Sequence, residues 1–179
     1  MQVILDILCF MLKRDYEGQN CSIARALEVV GDRWTLLVIR EVGVGHHRFD
    51  ELLGSLRIAS NVLTDRLNRL VDAEVLERVR YNERPERFEY QLTEKGLELG
   101  VALLALMQWG DRHLSERPPS IARRRSDRSA VSVRIVAKDG ATVAPDELEF
   151  LPGPGFKPAR TGTNSSSSTR SRSPRAARA

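Results

Sequence analysis

Two cysteines, Cys9 and Cys21, are too few to staple a fold, so packing rather than disulfides must hold this chain together. No secretory signal is present, and the chain reads as cytoplasmic. The most apolar stretch, MQVILDILCFML at residues 1–12, lacks a basic leader region and carries Asp6 in its middle. It is also too short to span a bilayer, so a helix packed on another protein surface is expected and no membrane partner. There is no nucleotide-binding glycine loop, no serine or cysteine triad pattern and no pair of catalytic carboxylates. An enzyme is not expected, nor a cofactor. His46, His47 and His113 have no cysteine or carboxylate at ligand spacing, and adjacent histidines rarely converge on one ion, so no metal site is expected.

Net charge is equally uninformative. The formal +4 comes from the tail, where Lys157, Arg160, Arg170, Arg172, Arg175 and Arg178 stand without an acidic residue. Without those six, 22 basic residues face 24 acidic ones, and the body is near −2. Any argument for a polyanionic partner must rest on local placement.

What is present is pattern. At 179 residues and 41% hydrophobic content, the chain suits one domain with appendages. Ile23, Leu27 and Val30 fall at i, i+4 and i+7, one helical stripe with Ser22 as its N-cap. Gly31 breaks that helix, and Asp32 is placed to cap the next, RWTLLVIREV. That helix is apolar on most faces and is assigned to the centre of the core, with Gly43 and Gly45 ending it. Phe49, Leu52, Leu53 and Leu56 make a third stripe; after a turn at 57–59, Leu63, Leu67, Leu70 and Val71 make a fourth.

The period then changes from helical to two. Val79 and Tyr81 alternate with arginines, as do Phe88, Tyr90 and Leu92 with polar residues, which predicts a hairpin with its turn at Asn82–Glu86. Thr93 is placed to cap a long final helix reaching about Leu114. This helix carries two apolar stripes, Leu97/Val101/Leu104 and Leu99/Leu103/Leu106/Met107. One can pack on the core; the other calls for a partner chain, most economically a second copy. Trp34 and Trp109 are expected in the core. Beyond Pro118–Pro119, a small hairpin turning at Asp139–Gly140 and a strand at Leu148–Leu151 are expected. No internal repeat is present.

The order helix, helix, helix, turn, helix, hairpin describes a winged helix-turn-helix: mainly α with a small β-hairpin wing (α+β), a three-helical core plus a dimerisation helix. Four segments follow: an apolar extension (1–20), the DNA-binding domain (21–117), a linker with a small hairpin (118–151), and a disordered Ser/Arg-rich tail (152–179) read as solubilising. The function that fits is sequence-specific DNA binding by a homodimer that regulates transcription. The alternative is a winged-helix module for protein–protein contact without DNA specificity. Ser60, Asn61 and Thr64 lead the fourth helix, the part that enters the major groove, and Asn can bond an adenine edge. Arg48 at the start of the third helix and Arg66 on the flank of the fourth suit phosphates. Arg84 and Arg87 at the wing suit the minor groove or backbone. Cys21, just ahead of the first helix, is a candidate redox-sensing thiol.

The segments Cys21-Ser-Ile-Ala-Arg-Ala-Leu, Gly31-Asp-Arg-Trp-Thr-Leu-Leu, Arg48-Phe-Asp-Glu-Leu and Ile58-Ala-Ser-Asn-Val-Leu-Thr-Asp-Arg-Leu resemble the HxlR-type transcriptional regulators. So do Arg84-Pro85, Glu89-Tyr-Gln-Leu-Thr-Glu-Lys-Gly96 and Trp109-Gly, in unbroken order from about Cys21 to His113. The resemblance implies a homodimer on palindromic or inverted-repeat operator DNA, acting as repressor or activator. It implies that the helix matching Ser60–Ala73 is the recognition helix and that Asn82–Arg87 is the wing. In some members the cysteine matching Cys21 senses electrophiles or oxidants, so a small-molecule or redox effector is an expectation. The extension before Tyr16 is longer than the family norm, and the segment after Pro118 lies outside the resemblance.

Overall fold

The computed structural model describes residues 21–156. The expected N-terminal apolar helix lies outside these residues, as does most of the tail. Helix α1 spans Ser22–Val30, α2 Thr35–Gly43, α3 Phe49–Leu56 and α4 Ser60–Asp72. Strands β1 (Leu76–Glu83) and β2 (Glu86–Leu92) form an antiparallel hairpin, and α5 runs from Glu94 to His113. The architecture is the winged helix-turn-helix expected from the pattern.

The core is aliphatic and centred on α2, as expected of a helix that is greasy on most faces. Val38, Ile39 and Val42 meet Leu52 and Leu56 of α3, Leu63, Leu67 and Leu70 of α4, and Val75 and Leu76 at the start of the wing. Between α3 and α4, Arg57 takes a left-handed conformation (φ 51°), and its N–H donates to Leu53 O, closing α3. Ala59 then precedes α4 in extended conformation. This tight turn is what lets the apolar stripes of both helices share one core.

Two hydrogen-bonded joints fix the wing. The Tyr90 N–H donates to His47 O at 2.7 Å, and Arg48 bridges to Glu89, so the segment before α3 adds a short third edge to the hairpin. At the other end, the Thr93 hydroxyl donates to Glu74 O at 2.7 Å and accepts from the Gly96 N–H at 3.1 Å, capping α5 as expected. Gly96 is required there. A Cβ on it would stand 2.2 Å from Val75 O.

One ionised group sits inside this framework. Glu41 is buried on α2 and accepts hydrogen bonds from Ser55 of α3, from Arg40, and from the His46 ring, whose Nδ1 lies 2.7 Å away. Burial opposes its ionisation, but the bonds from Ser55, Arg40 and His46 outweigh that opposition and hold the carboxyl below its ordinary value.

Several local expectations are corrected. Cys21, not Ser22, stands at the N-cap of α1, and no side chain caps that helix. Asp32 does not cap α2; Trp34 stands at its N-cap position in a left-handed conformation (φ 79°), and no side chain caps that helix either. Of the α1 stripe only Val30 is buried, while Ile23 is 68% exposed. Trp109 is half exposed rather than core. The wing turn is narrower than Asn82–Glu86: Asn82 pairs with Arg87 and Glu83 with Glu86, after a bulge between Arg80 and Asn82. Past α5, strands β3 (Ile135–Val136) and β4 (Thr142–Val143) pair around the expected turn. Leu148–Leu151 is no strand, and a 3-10 turn at Pro145–Glu147 precedes it. The reason is common to most of these: a stripe predicts a buried face only where the tertiary fold supplies something to bury it against.

Leu63→Ala, at a fully buried position, is expected to cost about 2–5 kcal/mol in urea unfolding. Glu41 has a depressed folded pKa, so its contribution is present above the unfolded pKa and is lost as pH falls through the folded one. Unfolding of the parent should therefore weaken from about pH 5 downward more steeply than that of Glu41→Gln. Parallel curves for the two proteins would contradict the assignment.

Candidate nucleic-acid interface

Helix α4 is amphipathic in the sense the site needs. Leu63, Leu67 and Leu70 are fully buried, so Ser60, Asn61, Thr64 and Asn68 stand exposed on the opposite side. The Thr64 hydroxyl donates to Ser60 O at 2.9 Å, leaving its lone pairs free to accept. The first turn of α4 holds no acidic side chain.

The arginines divide into two groups. Arg66, only 16% exposed, donates to Asp32 at 2.8 Å, to Asp65 at 2.6 Å and, through Nε, to Arg33 O at 3.2 Å. Arg69 donates to the same Asp32 carboxylate at 2.9 Å. The pair thus fastens α4 to the α1–α2 connection. Arg80 lies near Glu83 and Glu86 at the wing. Among the described residues, Arg48, Arg57, Arg84 and Arg87 have no acidic partner at salt-bridge distance, and all four are exposed.

These four lie at the start of α3, on the wing and beside α4. Arg57 lies in the turn before it. Arg84 forms the two-residue wing tip with Pro85, and Arg87 follows on β2. Arg48 stands at the joint of α3 and the wing, its guanidinium carbon 4.6 Å from the centroid of the Tyr81 ring. Just ahead of α3, the N–H groups of His47 and Arg48 both donate to the Glu51 carboxylate at 3.0 Å. Those backbone donors, Arg48 foremost, hold the Glu51 carboxyl below its ordinary value. Arg57 was not among the residues singled out from sequence. Only its position in the turn between two apolar stripes could have marked it.

Cys21 is an exposed free thiol at the start of α1. His46 and His47 are committed to Glu41 and to Tyr90 O respectively, His113 lies against Trp109, and no metal-binding cluster occurs among the described residues. No described helix is long and apolar enough to cross a membrane. In a Cys9→Ser background, a thiol reagent should label one cysteine in the native protein; labelling that needs denaturant would contradict the exposed position of Cys21.

Comparison with known proteins agrees with the winged helix-turn-helix fold. The model of the HxlR-like helix-turn-helix family matches residues 29–118. The HTH-type transcriptional regulator Rv3095 of Mycobacterium tuberculosis is 41% identical over 149 residues, covering 82% of this chain and 93% of its own. Two solved structures resemble the fold: PA1607 (TM-score 0.67, 33% identity, 76% of this chain and 97% of its own) and PA1374, a candidate transcription factor from Pseudomonas aeruginosa (TM-score 0.57, 40% identity, 77% and 96%). A match of 149 residues cannot be contained in the chain up to Pro118, so part of the segment after α5 is shared with Rv3095 rather than peculiar to this protein. On the family match and on the identity to Rv3095, the chain belongs to the HxlR-like helix-turn-helix family.

Proposed function

We propose that the protein is a transcriptional regulator that binds operator DNA as a homodimer, with α4 in the major groove and the β1–β2 wing beside it. One observation carries the reading. Beside the polar leading turns of α4, Arg57 in the turn before it, Arg48 ahead of α3 and Arg84 and Arg87 on the wing are exposed with no acidic group at salt-bridge distance, while Asp32, Asp65 and Glu86 pair with Arg66, Arg69 and Arg80. Charge balance over this region hides that arrangement. In this reading Asn61, Ser60 and Thr64 meet base edges, and Arg48, Arg57, Arg84 and Arg87 meet phosphates or the minor groove. Arg66 serves as a brace that sets the pitch of α4, with contact to DNA secondary to its bonds to Asp32 and Asp65.

The exposed face of α5 supports the homodimer reading. Leu99 and Leu103 pack on the core, whereas Leu97, Val101 and Leu106 are more than half exposed. Ile23 and Leu27 of α1 add to the exposed apolar surface. A strip of this size on a small domain marks an interface, and a two-fold pair would present two copies of α4 to the two halves of an inverted repeat. The names of the relatives, HTH-type transcriptional regulators, are consistent with this.

Gel-shift titration against the DNA upstream of its own gene tests the proposal. Binding should be specific and should weaken steeply as salt is raised. Asn61→Ala should change base preference, with a cost of about 1–3 kcal/mol on the preferred sequence. Arg84→Ala should weaken all sequences alike and reduce the salt slope by about one. Absence of binding at any salt would overturn the regulator reading in favour of a protein–protein module.

A further inference from the structure

Two apolar surfaces of this chain are finished by nothing else within the described residues. The first is a groove of about 850 Å³ between α1, α2 and α5, lined among others by Leu27, Leu37, Leu97, Leu104 and Met107. The second is the segment after α5. It folds into a bridge between Arg123 and Ala130, the β3–β4 hairpin and the 3-10 turn, and none of its residues is buried. Phe150 is 89% exposed, Leu151 beside it nearly as much, and Leu148 also faces solvent.

The segment is nevertheless anchored. Gln108 on α5 clamps its backbone at two points: the side-chain Nε2 donates to Val131 O, and Oε1 accepts from the Val133 N–H, both at 3.0 Å. Leu97, Val101, Leu104 and Gln108 follow one another at i, i+4, i+7 and i+11, so the clamp continues the stripe that the core leaves uncovered. The segment is fastened by both ends of the half-buried Gln108 amide, and part of it is shared with Rv3095 and with solved structures covering three quarters of this chain.

We propose that Leu148, Phe150 and Leu151 of one protomer seat in the α1–α2–α5 groove of a second copy, which returns the same contact. The inference rests on the homodimer reading above and names a surface that the family domain, ending at residue 118, does not contain. The occupant is a second copy because both unfinished surfaces belong to one chain and do not meet within it. A two-fold axis brings each onto the other, as an isologous interface requires. Aromatic and aliphatic anchors entering a preformed apolar pocket give such a contact its affinity, and the Gln108 clamp reduces the ordering needed on association.

Sedimentation over a range of concentrations tests the clasp with the full chain. Phe150→Ser combined with Leu151→Ser should raise the dimer dissociation constant at least ~10-fold, since two large apolar side chains leave their pocket. Val101→Asp, in the same experiment, addresses the α5 strip alone. A monomeric parent overturns both the homodimer and the clasp. Dissociation by Val101→Asp with an unchanged constant for the Phe150/Leu151 variant overturns the clasp only. A direct check mixes a Phe150→Cys copy with a Leu97→Cys copy, both carrying Cys9→Ser and Cys21→Ser. Oxidation should give an interchain disulfide in the mixture, and its absence would also overturn the clasp.

Discussion

Burial of Leu63, Leu67 and Leu70 against α2 is the constraint on which the rest depends. Removing three large aliphatic side chains from water stabilises the fold by several kcal/mol, far more than any surface pair on this molecule. Because α4 has 3.6 residues per turn, committing one face to the core commits Ser60, Asn61, Thr64 and Asn68 to solvent. The Asp32 carboxylate, held by Arg66 and Arg69, adds little to stability but supports the orientation, since it ties the solvent flank of α4 to the connection between α1 and α2. Packing fixes both the depth and the roll of the helix, and the ion pairs reinforce that placement.

The wing depends on the same core from its other side. Val75 and Leu76 are buried at the base of β1, so the hairpin begins inside the hydrophobic cluster and projects from it. His47 and Arg48 then bond to its outer strand, joining the start of α3 to the wing in one short sheet. Helix and wing are thereby positioned by two routes, one apolar and one through backbone hydrogen bonds. Glu41 reinforces the arrangement by linking α2, α3 and the loop that carries His46.

Helix α5 has a different problem, with two apolar faces and one core. Leu99 and Leu103 meet it, while Leu97 and Val101 do not. A 20-residue helix that is apolar on two sides costs free energy in water unless something covers the second. The Gln108 clamp shows the chain using part of that face itself, with Val131 and Val133 half buried at its C-terminal end. Farther toward the N-terminus of α5 the face is bare.

The element order, the α2 core, the stripes of α3 and α4, the hairpin and the Thr93 cap were all legible in the residues, because periodicity and capping chemistry are local properties. The polar leading turn of α4 was legible for the same reason. What failed were inferences that depended on one particular neighbour distant in the chain. Ile23 and Leu27 carry the same stripe pattern as Leu63 and Leu67, yet only the second pair meets a core. Asp32 has the chemistry of a cap, but Arg66 and Arg69, more than thirty residues away, claim its carboxylate. The sequence alone thus determined which faces are apolar and the order in which the elements of the winged helix-turn-helix follow one another. Only the tertiary structure decided which of those faces found a partner and which arginines remained without one, because burial and ion pairing are set by groups distant in the chain.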